Sequence, residues 1–466
     1  MNEATLVLPQ EIAKDIARAA RTDIEVAAVI LVGAANTRAG LRLLTREIHW
    51  VPADCYQRQT YNSLSISSHG FVPALRRAEE LSATPVFLHT HPGDDADPRP
   101  SKWDDIVDEQ LADTFRIRSG SDRYASLVFS PAQRLFRFSG RGLDDDQPFE
   151  VGRILVAGDR IALLTSVNGD ANSELSPIFD RQIRAFGSKV QRVLSSLRIA
   201  VIGCGGTGSA VAEQLVRLGV RSLVLVDNDD LNESNLTRVY GSNPSGLGEP
   251  KVNVLANHLL QIAPDLDVTA IKKLVTDELT ARRLTDCDAL FGCTDDNAGR
   301  LVLARLASYY LVPLVDCGVL ISSTYGTING IDGRVTVQTP GAACLVCRNR
   351  VDLARAAAEQ LDPGERRLRQ DEGYAPELGR VEPAVVTYTS QVAGQAVSEL
   401  LERLIGYGPE PVPTEVLLRF HDREISTNIQ SPKTGHFCHP VDGSLGRGDS
   451  EPFLNQLWRS PRCGLQ

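Results

Sequence analysis

No apolar run in the 466-residue chain reaches the length needed to cross a bilayer. Positive charge is also in short supply. Lys and Arg number 49 against 59 Asp and Glu, a formal net charge of −10, which argues against broad binding to nucleic acid or anionic membranes. The opening Met1-Asn2-Glu3-Ala4-Thr5 lacks the basic and apolar regions of a signal peptide. There is no internal repeat and no long low-complexity tract. The nine cysteines are odd in number and scattered through apolar stretches, so they do not read as a disulfide framework. The expectation is a reducing, cytoplasmic chain whose cysteines fill cores or hold metal.

Hydrophobic residues make up 42% and charged residues 23%, enough to bury a sizeable core. At roughly 150 residues per domain the length allows two or three domains. Two polar stretches, Asp144-Asp145-Asp146-Gln147-Pro148 and Asn168 to Glu174, mark a seam. They divide the chain into an expected first domain over 1–170 and a second over 171–466. The first half reads as α+β. Helical spacing covers Pro9 to Arg21, strands follow at 26–32 and 85–88, a helix is expected over 103–112, and another strand at 125–129. The second half alternates. Strands at 197–202, 223–226, 268–271, 289–291 and 313–315 are separated by helical stretches, which predicts an α/β fold with a doubly wound, mostly parallel sheet.

Two constellations carry chemistry. In the first, the strand Pro85 to Leu88 runs into His89-Thr90-His91-Pro92, followed by Ser101-Lys102-Trp103-Asp104. Residues two apart on a strand point to one side. Two imidazoles and an Asp from the next helix make a three-ligand zinc site with its fourth position open, the catalytic arrangement. Zinc in such a site brings the pKa of water down toward roughly 7. A general base is still required. Glu25, an acid on the apolar strand Ile24-Glu25-Val26, is the first choice, and Glu47 is the other acid at a plausible strand position.

A Glu, then His-x-His-Pro, then Ser-x-x-Asp resembles the JAMM motif of the JAB/MPN metalloprotease domains, over roughly residues 1 to 145. Those are zinc isopeptidases that cut after the C-terminal glycine of ubiquitin and its relatives. The resemblance implies that His89, His91 and Asp104 hold a catalytic zinc, Glu25 is the acid/base, and Ser101 steadies the oxyanion. The stretch from Gly93 to Pro100 is about two residues longer than that pattern leads one to expect.

In the second constellation, the strand ending at Ile202 runs into Gly203-Cys204-Gly205-Gly206-Thr207-Gly208 and then a helix. The glycines permit a tight turn and close approach to phosphate. Asp227, at the end of the next strand, is placed for ribose hydroxyls. To this point a dinucleotide and ATP are equally served. Asn235, Arg238 and Lys251 then favour a triphosphate, whose oxygens gather charge as pyrophosphate leaves. Asp295, after a later strand, suits Mg²⁺.

This ordered set resembles the ThiF/MoeB/HesA adenylyltransferases, whose fold is shared with ubiquitin-activating enzymes, from about Phe179 to His439. The resemblance implies ATP and Mg²⁺ as cofactors, a homodimer, and Arg181, in Phe179-Asp180-Arg181-Gln182-Ile183, reaching the partner subunit's ATP site. It implies a partner protein, ubiquitin-like or a sulfur carrier, whose C-terminal glycine is adenylated. Many relatives carry a nucleophilic Cys in a crossover loop. Here that loop is 371–383, and no Cys occurs between Cys347 and Cys438. Cys293 and Cys317 lie near strand ends and read first as core thiols. Cys344-Leu345-Val346-Cys347 has metal-binding spacing, and with Cys438 and either His436 or His439 it could close a structural zinc site.

The favoured expectation is a two-activity enzyme of a ubiquitin-like pathway. One half trims or removes a small protein by zinc hydrolysis, and the other adenylates its tail and passes it to a conjugating-enzyme or other thiol partner, a sulfide donor or an amine. The alternatives are sulfur-carrier activation and maturation, peptide adenylation in natural-product synthesis, and a scaffold with dead sites.

Overall fold

The computed structural model describes residues 2–93, 97–168, 175–362, 364–365, 367–368 and 383–458. It divides into two compact units. The first comprises residues 1–173 together with 309–311 and 445–450, and the second holds the rest. The two inserted segments are a difference from the contiguous division expected from sequence.

In the first unit the strands are β1 (Asn2–Pro9), β2 (Ala27–Thr37), β3 (Gly40–Trp50), β4 (Tyr56–Gln59), β5 (Leu64–Ile66), β6 (Thr84–Thr90), β7 (Arg123–Pro131), β8 (Phe136–Asp144), β9 (Gln147–Ala157) and β10 (Ala162–Thr165). The helices are α1 (Gln10–Ala19), α2 (Val72–Leu81) and α3 (Lys102–Ser119). The main sheet runs β1-β3-β2-β6-β7-β8-β9-β10, and β1 pairs in parallel with both β3 and β9, so the sheet closes on itself. Closure removes the open edges on which strands otherwise aggregate.

Alternation along β2 builds two cores. Ile30 and Val32 pack with Leu6, Leu88, Phe129 and Ile16 of α1. Val29 and Leu31 pack with Leu75 and Ala78 of α2 and Phe115 of α3. Helix α3 is longer than the sequence suggested and stops where Gly120 takes a left-handed conformation (φ 66°). The segment 445–450 lies against β2. Asp449 N–H donates to the Ala34 carbonyl at 3.0 Å, and a Cβ on Gly33 would sit 2.2 Å from the Gly446 carbonyl oxygen. Such close backbone approach requires glycine there.

The second unit holds β11 (Arg198–Ile202), β12 (Ser222–Val226), β13 (Asp267–Ile271), β14 (Ala289–Gly292), β15 (Leu314–Thr324), β16 (Thr327–Gln338), β17 (Glu415–Arg419) and β18 (Glu424–Asn428). Its helices are α4 (Asp180–Phe186), α5 (Ser188–Ser196), α6 (Gly206–Arg217), α7 (Lys251–Ile262), α8 (Glu278–Arg282), α9 (Asn297–Tyr309), α10 (Leu353–Glu359) and α11 (Val386–Ile405). The sheet order is β13-β12-β11-β14-β15-β16-β17-β18. The first five strands are parallel, in the 3-2-1-4-5 order of a doubly wound Rossmann-like sheet. β15 to β18 continue it as an antiparallel meander. The parallel strands β11, β12 and β14 are buried along nearly their whole length, as strands covered on both faces must be, which explains their unbroken apolar sequences. Strand order reverses between β11 and β14, and a crevice opens there at the strand ends.

Candidate active sites and metal centres

In the first unit, β2 and β6 are antiparallel with Ala27 opposite His89, and Thr90 N–H donates to the Val26 carbonyl at 3.0 Å. Extending that register two residues sets Glu25 opposite His91. The structure brings His89, His91 and Asp104 together with their ligand atoms within 4.8 Å of one another. His89 Nε2 lies 3.2 Å from His91 Nε2 and 3.6 Å from Asp104 Oδ1, and His91 Nε2 lies 3.9 Å from Asp104 Oδ2. Ligands about 2.0–2.1 Å from a tetrahedral zinc are about 3.4 Å apart, so the donors need little adjustment. His91 Nδ1 is 2.7 Å from the Asp97 carbonyl. Its proton therefore belongs on Nδ1, and Nε2 presents a lone pair to the cluster, the usual outer support of a metal-binding imidazole. Burial drives the His89 pKa down to about 4, keeping it neutral.

Asp104 is delivered by the start of α3. Ser101 Oγ accepts from Asp104 N–H, and Asp104 Oδ2 accepts from Ser101 N–H at 2.6 Å, a reciprocal capping box. Burial opposes ionisation of Asp104, but His89 and the Ser101 donors outweigh it and hold the carboxyl below its ordinary value. Glu25 is buried, and burial followed by the Asp104 charge raises its pKa to about 7, within the working range of a general base. Its backbone is fixed from both sides. Its N–H donates to the Thr60 carbonyl at 2.9 Å, and its carbonyl accepts from Gln59 Nε2 at 2.9 Å. Glu47, the competing acid, is paired with Arg77 at 2.8 Å and His49 at 3.0 Å.

In the second unit the glycine turn lies at the sheet's switch point. Gly203 adopts φ +90°, and a Cβ there would approach the Cys293 carbonyl oxygen to 2.6 Å. A Cβ on Gly208 would sit 1.7 Å from the Gly203 carbonyl oxygen. No other residue type fits either position. A cavity of about 600 Å³ opens beside the turn, lined by Gly203, Gly205, Gly206, Asp227, Asn235, Arg238, Lys251 and Asp295. The N-terminus of α6 faces it with free N–H groups.

Asp227 accepts from the backbone N–H groups of Cys204 at 2.7 Å and Asp229 at 2.8 Å. Burial nevertheless raises its pKa against the pull of Lys251. Lys251, at the start of α7, is buried with Nζ 2.7 Å from Asp229 Oδ2. Arg238 Nη1 donates to the Ser234 carbonyl at 2.5 Å, and buried Asn235 accepts from Asn232 N–H at 3.0 Å. Both Asp295 and Asp296 line the cavity; Asp296 accepts from Gly299 N–H at 2.5 Å in the first turn of α9, and Asp295 is exposed. Arg181 is exposed on α4 and is not part of this lining. Sequence reasoning passed over Lys273, Arg300 and Arg355, which line the same cavity from separate segments. The loop 371–383 lies outside the described residues up to 382.

Cys293 and Cys317 border the cavity with their Sγ atoms 3.5 Å apart. The contact with Cys317, and then burial, pushes the Cys293 thiol well above its ordinary pKa, so it is a poor nucleophile.

A second ligand group joins Cys344, Cys347, His436 and Cys438. Cys347 Sγ is 3.6 Å from Cys438 Sγ, and His436 Nδ1 is 3.5 Å from Cys344 Sγ and 3.3 Å from Cys438 Sγ. A tetrahedral zinc with bonds of about 2.0–2.3 Å sets its donors roughly 3.4–3.8 Å apart, so the set fits a closed four-ligand site. His439 is committed elsewhere, with Nδ1 accepting from Val441 and Asp442 N–H. The fourth donor is His436.

The ThiF family model matches residues 179–437, more than half of the chain. The chain belongs to the ThiF family. The Escherichia coli (strain K12) molybdopterin-synthase adenylyltransferase is 31% identical over 177 residues, covering 37% of this chain and 68% of that protein. The sulfur carrier protein ThiS adenylyltransferase of the same strain is 31% identical over 150 residues, covering 32% of this chain and 56% of that protein. Among solved structures, that of E. coli MccB with ATP is 16% identical with a TM-score of 0.44, covering 56% of this chain and 73% of that chain. The chain thus spans between about half and two thirds of the two curated relatives. Among the described residues, no helix is long and apolar enough to cross a membrane.

Proposed function

We propose that the second unit uses ATP to adenylate the C-terminal glycine of a ubiquitin-like or sulfur-carrier protein. The observation that carries this reading is the single cavity at the switch point of a ThiF-family sheet, where the glycine turn, Arg238, Lys251 and Asp295 converge. One carboxylate oxygen of the tail attacks the α-phosphorus of ATP. The bond from that phosphorus to the β-phosphate bridging oxygen breaks, and pyrophosphate leaves. Arg238 and Lys251 offset the charge gathering on the phosphate oxygens, and Asp227 holds the ribose hydroxyls. Asp295 would hold magnesium, which would offset phosphate charge. Arg181 acts from a second copy of the chain in a homodimer. With no Cys between 347 and 438, the acyl-adenylate passes directly to an outside nucleophile: a partner's thiol, a sulfide donor or an amine.

The first unit, on this reading, is a JAMM-type zinc hydrolase that cuts after the same glycine tail. The fit of His89, His91 and Asp104 to three tetrahedral positions, with Glu25 beside them, supports it. His89, His91 and Asp104 would hold a zinc ion, which would supply a Lewis acid for the scissile carbonyl and lower the pKa of water. Glu25 takes the proton of the attacking water on its carboxylate and returns it to the leaving nitrogen. Ser101 donates its hydroxyl proton to the developing oxyanion. Cleavage exposes the carboxylate that adenylation consumes, so the two activities share one object.

The named relatives act in molybdopterin-synthase and ThiS adenylation, which favours sulfur-carrier activation as a second reading. One experiment tests adenylation and sorts its outcomes. The protein is incubated with ATP, magnesium and a small ubiquitin-like protein ending in glycine, and the products are weighed. Pyrophosphate exchange that requires a free C-terminal carboxylate is expected. Isopeptide adducts mark a conjugation pathway, and a thiocarboxylate marks sulfur transfer. No exchange with any such protein overturns the adenylation reading.

A further inference from the structure

We infer that Asp316 is a positioning residue that aims Arg300 into the nucleotide cavity, and that the Cys344 cluster anchors the far end of the polar row that holds it. This rests on the nucleotide-binding reading of the second unit. Asp316 is fully buried on β15. Arg300 Nε lies 3.4 Å from its Oδ1, and Arg334 Nη2 donates to its Oδ2 at 2.5 Å. Both guanidinium groups lie near Gly318, which lines the cavity. A Cβ there would be 3.4 Å from Arg300 Nη2 and 3.9 Å from Arg334 Nη2. Arg300 lines the cavity.

The carboxylate stands in cross-strand register with a polar row that spans four strands. Asp316 is opposite Thr336, Thr336 opposite Glu415, and Glu415 opposite Asn428. Glu415 is pinned by Arg350 through two bonds of 2.8 Å, by Asn428 Nδ2 at 2.8 Å and by the Thr336 hydroxyl at 2.9 Å. Burial opposes its ionisation, yet these partners hold its pKa down to about 2. The row reaches the metal cluster through Arg348, which follows Cys347. Arg348 Nη1 donates to Asn428 Oδ1 at 2.7 Å, and its other arm bonds the Thr414 hydroxyl. Four arginines, 300, 334, 348 and 350, therefore share two buried acids, 316 and 415, with Asp295 and Asp296 also near Arg300. Buried charges of this kind cost stability unless their geometry is held.

Field and position make opposite predictions. Neutralising Glu415 leaves more positive charge beside the cavity, and by field alone ATP would bind more tightly. Positioning predicts weaker binding. In calorimetric titration of the full chain with ATP and magnesium, Glu415→Gln should weaken binding about tenfold while retaining its metal. Thr336→Val removes one bond and no charge. It should weaken binding about two- to threefold, and it carries the test if Glu415→Gln fails to fold. Arg348→Met, which cuts the tie to the cluster, and chelated protein that keeps its circular dichroism should each behave like Glu415→Gln. Unchanged or tighter ATP binding in these forms overturns the inference alone. Failure of the unaltered protein to bind ATP overturns both it and the nucleotide reading.

Discussion

The two groups of metal-ligating side chains are built on opposite plans. His89, His91 and Asp104 offer three nitrogen and oxygen donors, two of them partly exposed, from a strand end and a helix start. Cys344, Cys347, His436 and Cys438 offer four donors with three buried thiols. Three ligands leave a coordination position for a reactant, whereas four ligands spend every position on holding the chain. The contrast teaches that ligand count and access, rather than the presence of a metal group, separate a place for chemistry from a staple.

Four measurements can break or sharpen that contrast. The largest effect is expected from His89→Ala. It should lower cleavage of a carrier fusion at least about a thousandfold, because the Lewis acid leaves with its ligand, while pyrophosphate exchange continues. Loss of both activities would mean the sites are not independent. Conversely, Asp295→Ala should cut exchange by about a hundredfold or more and spare cleavage, and surviving exchange would remove Asp295 from the magnesium assignment. Cys347→Ser should release metal and lower the stability of the second unit by about 3–5 kcal/mol, moving its melting midpoint by on the order of 10 °C. An unchanged midpoint would show that the closed cluster is no staple.

The smallest effect is a pH-linked one. The folded pKa of Glu25 is about 7 against an ordinary 4.5. A raised acid carries no penalty below the lower value and a growing one as pH climbs to the higher. In metal-free protein, Glu25→Gln should therefore be more stable than the parent at pH 8, by at most about 3 kcal/mol, with the difference vanishing near pH 4. Denaturant melts at the two pH values read it directly. A difference independent of pH would place Glu25 outside the buried setting described.

Much of the second unit was open to reading because its signals are local. The apolar runs of β11 and β12, the glycine turn between β11 and α6, and Asp227 at the next strand end follow one another within 30 residues of chain. The His-x-His pair was visible for the same reason, since a period of two fixes one face. What depends on distant pairing stayed hidden. The parallel β1–β9 ladder closes the first sheet across more than 140 residues, and no periodicity announces it. Arg300, Arg355 and Lys273 reach the cavity from three unconnected segments, where each reads as an ordinary surface charge. The choice of His436 over His439 turned on whether a ring nitrogen was already occupied by backbone N–H groups, a fact of three-dimensional neighbourhood alone.

Asp104 serves two masters, since the same carboxylate that faces His89 and His91 also receives the Ser101 N–H. Any ion that draws on this oxygen pulls on the winding of the first turn of α3. Hydrogen–deuterium exchange of amides 101 and 104 should accordingly slow as the histidine pair is occupied, giving a spectroscopic gauge that needs no substrate and no turnover.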